Sequence, residues 1–349
     1  MTKRPHKKRK SIKRTALISL SLLLSLILVI AASLAVYGNY MLGKINYRTE
    51  HPTLSQQEAE SIKQGELELI DPTGDVEIEE NVTVPTINAA PVEKSESVVN
   101  ILLIGQDRRP GQGTQRSDSM ILLTFNKNSK EITLTSIMRD QYVNIPGYGN
   151  DKLCHAYQYG GMPLLNQTLY NYFGIEVDGN VEVDFSGFEK IIDLLGGVEV
   201  ELTSKEANHL NKVWGWNLKK GMNRMSGAEA LSYARLRSID SDYNRAERQQ
   251  KVLMSLFEKY KTQSLSNMLS LTEELLQLVT TDIPQNQVMT YVLELFPIFS
   301  SASLENFRIP MDGTFKGGYI KVSETQKMWC QYNVDFEANR KALEKIFKD

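Results

Sequence analysis

From Ala16 to Tyr37 the chain carries no charged residue, and the fifteen residues before it hold eight lysines and arginines and no acid. At a rise of about 1.5 Å per residue, the twenty-two residues of that run reach across a hydrocarbon core of about 30 Å. A cleaved signal peptide has a shorter apolar core, about 7–15 residues, so a retained transmembrane helix is expected over 16–37. By the positive-inside rule its basic flank stays in the cytoplasm, which puts the tail at 1–15 inside the cell and everything after the span outside. Beside a membrane, Lys3, Arg4, Lys7, Lys8, Arg9, Lys10, Lys13 and Arg14 serve orientation and lipid headgroups, not nucleic acid. The expectation is a single-pass protein of the cell membrane whose bulk is extracellular.

Residues 38–96 are acidic and broken by Pro52, Pro72, Pro85 and Pro91. They read as a weakly ordered stalk, with helical character from Gln56 to Ile70 weakened by Gly65. What remains, 97–349, is long enough for one large extracellular domain. Val98–Ile104, Met120–Phe125 and Ile132–Ile137 are apolar, β-rich runs that read as strands, with a hairpin turn at Asn126 to Ser129. Beyond them come a helix over Met162–Phe173 closed by Gly174, a short strand over Val181–Val183, a helix over Phe185–Leu195 and a strand over Val198–Leu202. Further helices are expected over Leu265–Leu278, Gln285–Leu295 and Ser323–Phe347. Strands alternating with helices give an α/β domain with a mixed central β-sheet flanked by helices. Cys154 and Cys330 show no metal spacing; both are expected as buried thiols, with a disulfide between them left open.

If consecutive strands run antiparallel, one sheet edge collects Asp107, Arg108, Arg109, Arg116, Asp118, Arg139 and Asp140. A second charged stretch lies between Ser226 and Gln250. Ser226 and Glu229 form a capping-box signal for a helix ending near Arg235, and Asp242 is placed to cap the next, which runs through Leu256. Arg235 and Arg237 sit two apart; Arg245, Arg248 and Gln249 follow at i, i+3 and i+4 of the second helix. Arginines in a first helical turn face the positive end of the dipole. They make electrostatic sense where an anion binds, while a solvated basic face balanced by Asp240, Asp242 and Glu247 is the other reading.

Serine-histidine-aspartate constellations, glycine-rich nucleotide loops and cysteine-histidine metal clusters are absent from the sequence. Arginines and aspartates remain. Two aspartates suit Mg²⁺, and several arginines suit a diphosphate, so metal-assisted phosphoryl chemistry outside the cell is expected.

The blocks GQDRR (105–109), QRSDSMIL (115–122), TSIMRDQYVNIPG (135–147), KLCHAYQYGG (152–161), DFSGFEKIIDLLGGVEV (184–200) and LSYARLRSIDSDYNRAERQQ (231–250) resemble the LytR-CpsA-Psr family in order and spacing. That resemblance implies a phosphotransferase that moves an anionic glycopolymer (teichoic acid, capsule or a related polysaccharide) from an undecaprenyl-diphosphate carrier to a peptidoglycan acceptor, with Mg²⁺. Carried over by position, Asp107 and Asp118 would hold the metal, and both would be catalytic along with Arg116 and Arg139. Arg235, Arg237, Arg245, Arg248 and Gln249 would bind the diphosphate, with Lys152 as a further polar candidate and an apolar pocket for the polyprenyl chain. Met138 stands where the family usually has proline, and Cys154 and His155 replace small residues or asparagine. The same residues would also suit a non-catalytic binding protein or envelope regulator, or a polyprenyl diphosphatase using water as acceptor.

Overall fold

The computed structural model describes residues 38–348 except 49, 52, 72–75, 107, 109–112, 241 and 300; at 242, 265, 266, 268, 269, 289, 292, 293, 296, 297 and 299 it describes the backbone only. The chain divides into two units, 1–45 and 46–349. The tail and the span expected over 1–37 lie outside the described residues, and of the first unit only a helical segment over 38–42 and the turn after it are described. Among the described residues no helix is long and apolar enough to cross a membrane.

Residues 46–96, expected as a stalk, belong instead to the second unit. They form β1 (Asn46–Tyr47), α1 (Gln56–Gln64), β2 (Glu68–Leu69) and β3 (Ile78–Glu79). A capping box starts α1: the Ser55 hydroxyl accepts the Glu58 amide at 3.3 Å, and the Glu58 carboxylate accepts the Ser55 amide at 2.8 Å. Ala59 and Val92 are buried in the main core, and Leu54, Ile62, Val84 and Ile87 pack against it. These apolar residues are scattered along an irregular path, so they leave no period to read. Gly65 caps α1, which stops short of the expected Ile70.

Three strands alternate between two buried faces: β4 (Val98–Gln106), β5 (Ser117–Asn126) and β6 (Glu131–Ile137). They pair antiparallel as expected. Asn126 closes the hairpin by accepting the amides of Asn128 and Ser129 at 2.9 and 3.1 Å. A small hairpin, β7 (Tyr142–Ile145) with β8 (Gly149–Lys152), leads into α2 (Leu153–Phe173). The expected Met162–Phe173 is only the second half of α2, which bends at Gly160 and Gly161 and ends at Gly174 in the left-handed conformation. Next come β9 (Gly179–Asp184), parallel to β4, and α3 (Phe185–Leu194), capped by Asp184, which accepts the Gly187 amide at 2.9 Å.

Then follow β10 (Val198–Leu202), α4 (Ser204–Trp214), β11 (Gly221–Met225), α5 (Gly227–Ala234), α6 (Asp242–Lys261) and α7 (Leu265–Leu276). The chain closes with β12 (Thr280–Thr281), α8 (Gln285–Phe299), β13 (Ser303–Ile309), β14 (Lys316–Lys321), β15 (Gln326–Tyr332) and α9 (Phe336–Phe347). The helix expected over Ser323–Phe347 is thus a strand and a shorter helix. Pairing with β14 buries Met328 and Cys330 on β15, and α9 begins only at its Asp335 cap.

The main sheet has the order β1-β12-β9-β4-β5-β6-β13 and is mixed, with β1-β12, β9-β4 and β6-β13 parallel. One face packs on α2 and α9 through Leu102, Leu122, Leu169 and Leu343. Its other face packs on α6 and α8 through Ile121, Phe125, Leu253 and Leu295. Cys154 and Cys330 are both buried and free, and burial pushes each thiol up to about 12; no disulfide joins them.

Candidate functional site

Between the sheet and the helices α3, α5 and α6 lies a cavity of about 410 Å³. Its lining changes character along its length. On α6, Arg245, Gln249, Leu253 and Leu256 follow at intervals of four, four and three, which is one stripe of a helix. The stripe is cationic at its N-terminal end and apolar at its C-terminal end. Leu103, Val181 and Val183 from the sheet and Phe185, Phe188 and Ile191 from α3 extend the apolar part. Arg116, Asp118, Ser119, Arg235 and Arg237 extend the polar mouth. Antiparallel pairing of β4, β5 and β6 therefore does bring Arg116, Asp118 and Arg139 to one end of the sheet.

At that end Arg139, 8% exposed, donates to Asp118 and has its Nε 3.3 Å from Asp140. An Arg237 nitrogen lies 4.0 Å from the same Asp118 oxygen. Arg235 stacks over the Phe185 ring, 4.1 Å from its centroid. The Ser119 hydroxyl donates to Gln249 at 3.1 Å. Burial works against ionisation of Asp118, yet the guanidinium groups of Arg139, Arg116, Arg237 and Arg245 together hold its carboxyl below the usual range. Arg116, Arg235, Arg237 and Arg245 thus share the mouth of the cavity with Asp118, and Arg139 reaches Asp118 from beside it.

Two expected ligands of the diphosphate are placed elsewhere. Arg248 is 3% exposed and turned away from the cavity: its Nε donates to Glu206 at 2.7 Å, a terminal nitrogen donates to the Leu236 carbonyl at 2.8 Å, and the other pairs with Asp240. On a helix it stands about 100° around the axis from Gln249, which carries it onto the α4 side. Lys152 is held 3.3 Å from Glu66 and 3.8 Å from Asp140 and does not line the cavity. Asp107 and Arg109 lie outside the described residues; Arg108 sits 3.6 Å from both Glu182 and Asp184.

Two further carboxylates escaped the sequence reading. Glu66, from the supposed stalk, pairs with Arg116. Glu182, 1% exposed on β9, takes Arg48 at 2.9 Å and also bonds Gln106 and Tyr157. Its signal was a lone acid between Val181 and Val183, since a buried charge needs partners; nothing comparable marked Glu66.

Among the described residues no group of three or more histidines, cysteines or carboxylates could hold a metal. Asp118 stands at the mouth, and Mg²⁺ needs only one or two carboxylates when phosphate oxygens and water complete its shell. Asp118 is of the donor type such an ion takes, and Asp107 lies outside the described residues.

The model of the LytR_cpsA_psr family matches residues 60–335. The chain is 36% identical over 218 residues to the polyisoprenyl-teichoic acid–peptidoglycan teichoic acid transferase TagT of Bacillus subtilis, covering 60% of this chain and 67% of that protein. It is 33% identical over 225 residues to the regulatory protein MsrR of Staphylococcus aureus, covering 64% and 68%. A solved structure of YwtF (TagT) with bound octaprenyl pyrophosphate lipid superposes with a TM-score of 0.56 at 26% identity, over 76% of this chain and 99% of that one.

Proposed function

The chain belongs to the LytR-CpsA-Psr family, and on that premise we propose that it transfers an anionic glycopolymer from an undecaprenyl-diphosphate carrier to peptidoglycan. One observation carries the reading: a single cavity passes from an apolar wall to a ring of arginines along one helix. A polyprenyl diphosphate has the same polarity profile, and a relative's structure holds such a lipid. The span over 16–37 anchors the protein, with its tail in the cytoplasm and the folded domain at the outer membrane face.

In this reaction the polyprenyl segment nearest the phosphorus lies along Leu253, Leu256, Phe188 and Ile191. Arg116, Arg235, Arg237 and Arg245 receive the diphosphate. An acceptor hydroxyl on peptidoglycan attacks the phosphorus that bears the sugar; the bond from that phosphorus to the bridging oxygen breaks, and polyprenyl phosphate leaves. The arginines stabilise charge as it builds on the bridging and equatorial oxygens. Asp118, with Asp107, would hold Mg²⁺, which supplies further charge neutralisation at the phosphate oxygens. One carboxylate, Asp118 or Asp242, takes the hydroxyl proton.

Full-length protein, a lipid-linked polymer and a peptidoglycan acceptor provide the test. Arg237→Ala and Arg245→Ala should each lower transfer by roughly tenfold to a hundredfold, since a charge-assisted contact is worth about 1.5–3 kcal/mol. Undiminished transfer in both variants would sink the assignment, and polymer released to water in place of polymer on peptidoglycan would make the protein a hydrolase.

A further inference from the structure

We infer that Glu66 is a positioning residue that fixes Arg116 at the mouth of the cavity. The inference rests on reading that mouth as the diphosphate site. Its basis is a closed run of alternating charge: Arg116 pairs with Glu66, Glu66 with Lys152 at 3.3 Å, Lys152 with Asp140 at 3.8 Å, Asp140 with Arg139 at 3.3 Å, and Arg139 with Asp118. Asp118 in turn feels the field of Arg116. Every other member lies in or beside the strand ends. Glu66 alone comes from the segment after α1.

Glu66 is itself held. Lys152, 12% exposed, grips one carboxylate oxygen, and the fully buried His155 lies 3.4 Å from the other. His155 is set from behind by Asp151 at 3.0 Å, and Asp151 accepts the Tyr159 hydroxyl at 2.5 Å. His155 is thus part of the support.

Arg116 has the opposite character. Its side chain is 36% exposed, and an exposed arginine loses rotamer entropy when it is immobilised. A carboxylate that immobilises it beforehand removes that cost from ligand binding. Lys152 offsets the charge of Glu66, so what Arg116 gains from the pair is orientation more than neutralisation.

The test is a double-mutant cycle on full-length protein in detergent, with farnesyl diphosphate as the probe. Glu66→Gln keeps shape and removes charge; it should weaken binding roughly tenfold with little change in thermal midpoint. In an Arg116→Ala background the same change should move affinity less than about twofold. Unchanged or tighter binding by Glu66→Gln, or an equal loss in both backgrounds, would overturn the inference. The single Arg116→Ala variant separates the two levels of argument. If it binds farnesyl diphosphate as the wild type does, the diphosphate site itself is misplaced; if it loses affinity while Glu66→Gln does not, only the role of Glu66 falls.

Discussion

Glu206 is buried against α6 with Arg248 as its main partner, and this pair belongs to the fold, not to the chemistry. Breaking a buried pair from one side leaves an uncompensated charge and costs about 3–5 kcal/mol. Arg248→Ala should therefore lower the thermal midpoint by many degrees, whereas Arg237→Ala, at a side chain 45% exposed, should hardly move it. Burial alone would raise the Glu206 pKa, but the Arg248 and Thr203 hydrogen bonds more than offset that and leave it lowered. A lowered folded pKa stabilises above the unfolded carboxylate value near 4.3 and loses that stability as pH falls through the folded one. The stability gap between wild type and Arg248→Ala should accordingly close as pH drops below about 4 in calorimetric scans. Arg245 and Arg248 looked equivalent in sequence, three residues apart on one helix. A separation of three leaves two residues about 60° apart around the axis, and only packing against α4 decides which of them faces the ligand.

Elements were most legible where they carry a period or a stop. The three central strands, the Ser226 cap and the glycine closing α2 could all be read from sequence. The second job of that glycine could not. A Cβ on Gly174 would lie 2.4 Å from the Ala90 carbonyl oxygen and 2.9 Å from the Val92 amide, and its φ is +65°. The strap at 89–92 crosses there, with the Ala89 amide bonding Asn171 and the Val92 amide bonding Gly174 at 2.8 Å. Gly174→Ala should cost roughly 1–3 kcal/mol through strain and clash together, read as a lower midpoint of thermal unfolding. Strand β15 was missed for a related reason: residues with adequate helical propensity were recruited by a neighbouring strand, a contact that no local pattern records.

For the whole molecule, charge segregation at the N-terminus and the order of strands and helices carried the α/β architecture and the proposed orientation. In intact protoplasts an epitope tag at the C-terminus should be reached by antibody and one at the N-terminus should not; the reverse result would end the extracellular reading. The contribution of residues 46–96 was hidden because their packing is irregular, and Glu66 reaches Arg116 at the mouth from there. The stripe along α6 has a further consequence. From Arg245 to Leu256, eleven positions, the helix rises about 16 Å. If the carrier lies along this stripe as proposed, the cavity touches only the stretch beside the phosphorus, and affinity for polyprenyl diphosphates longer than that stretch should not depend on the total number of isoprene units.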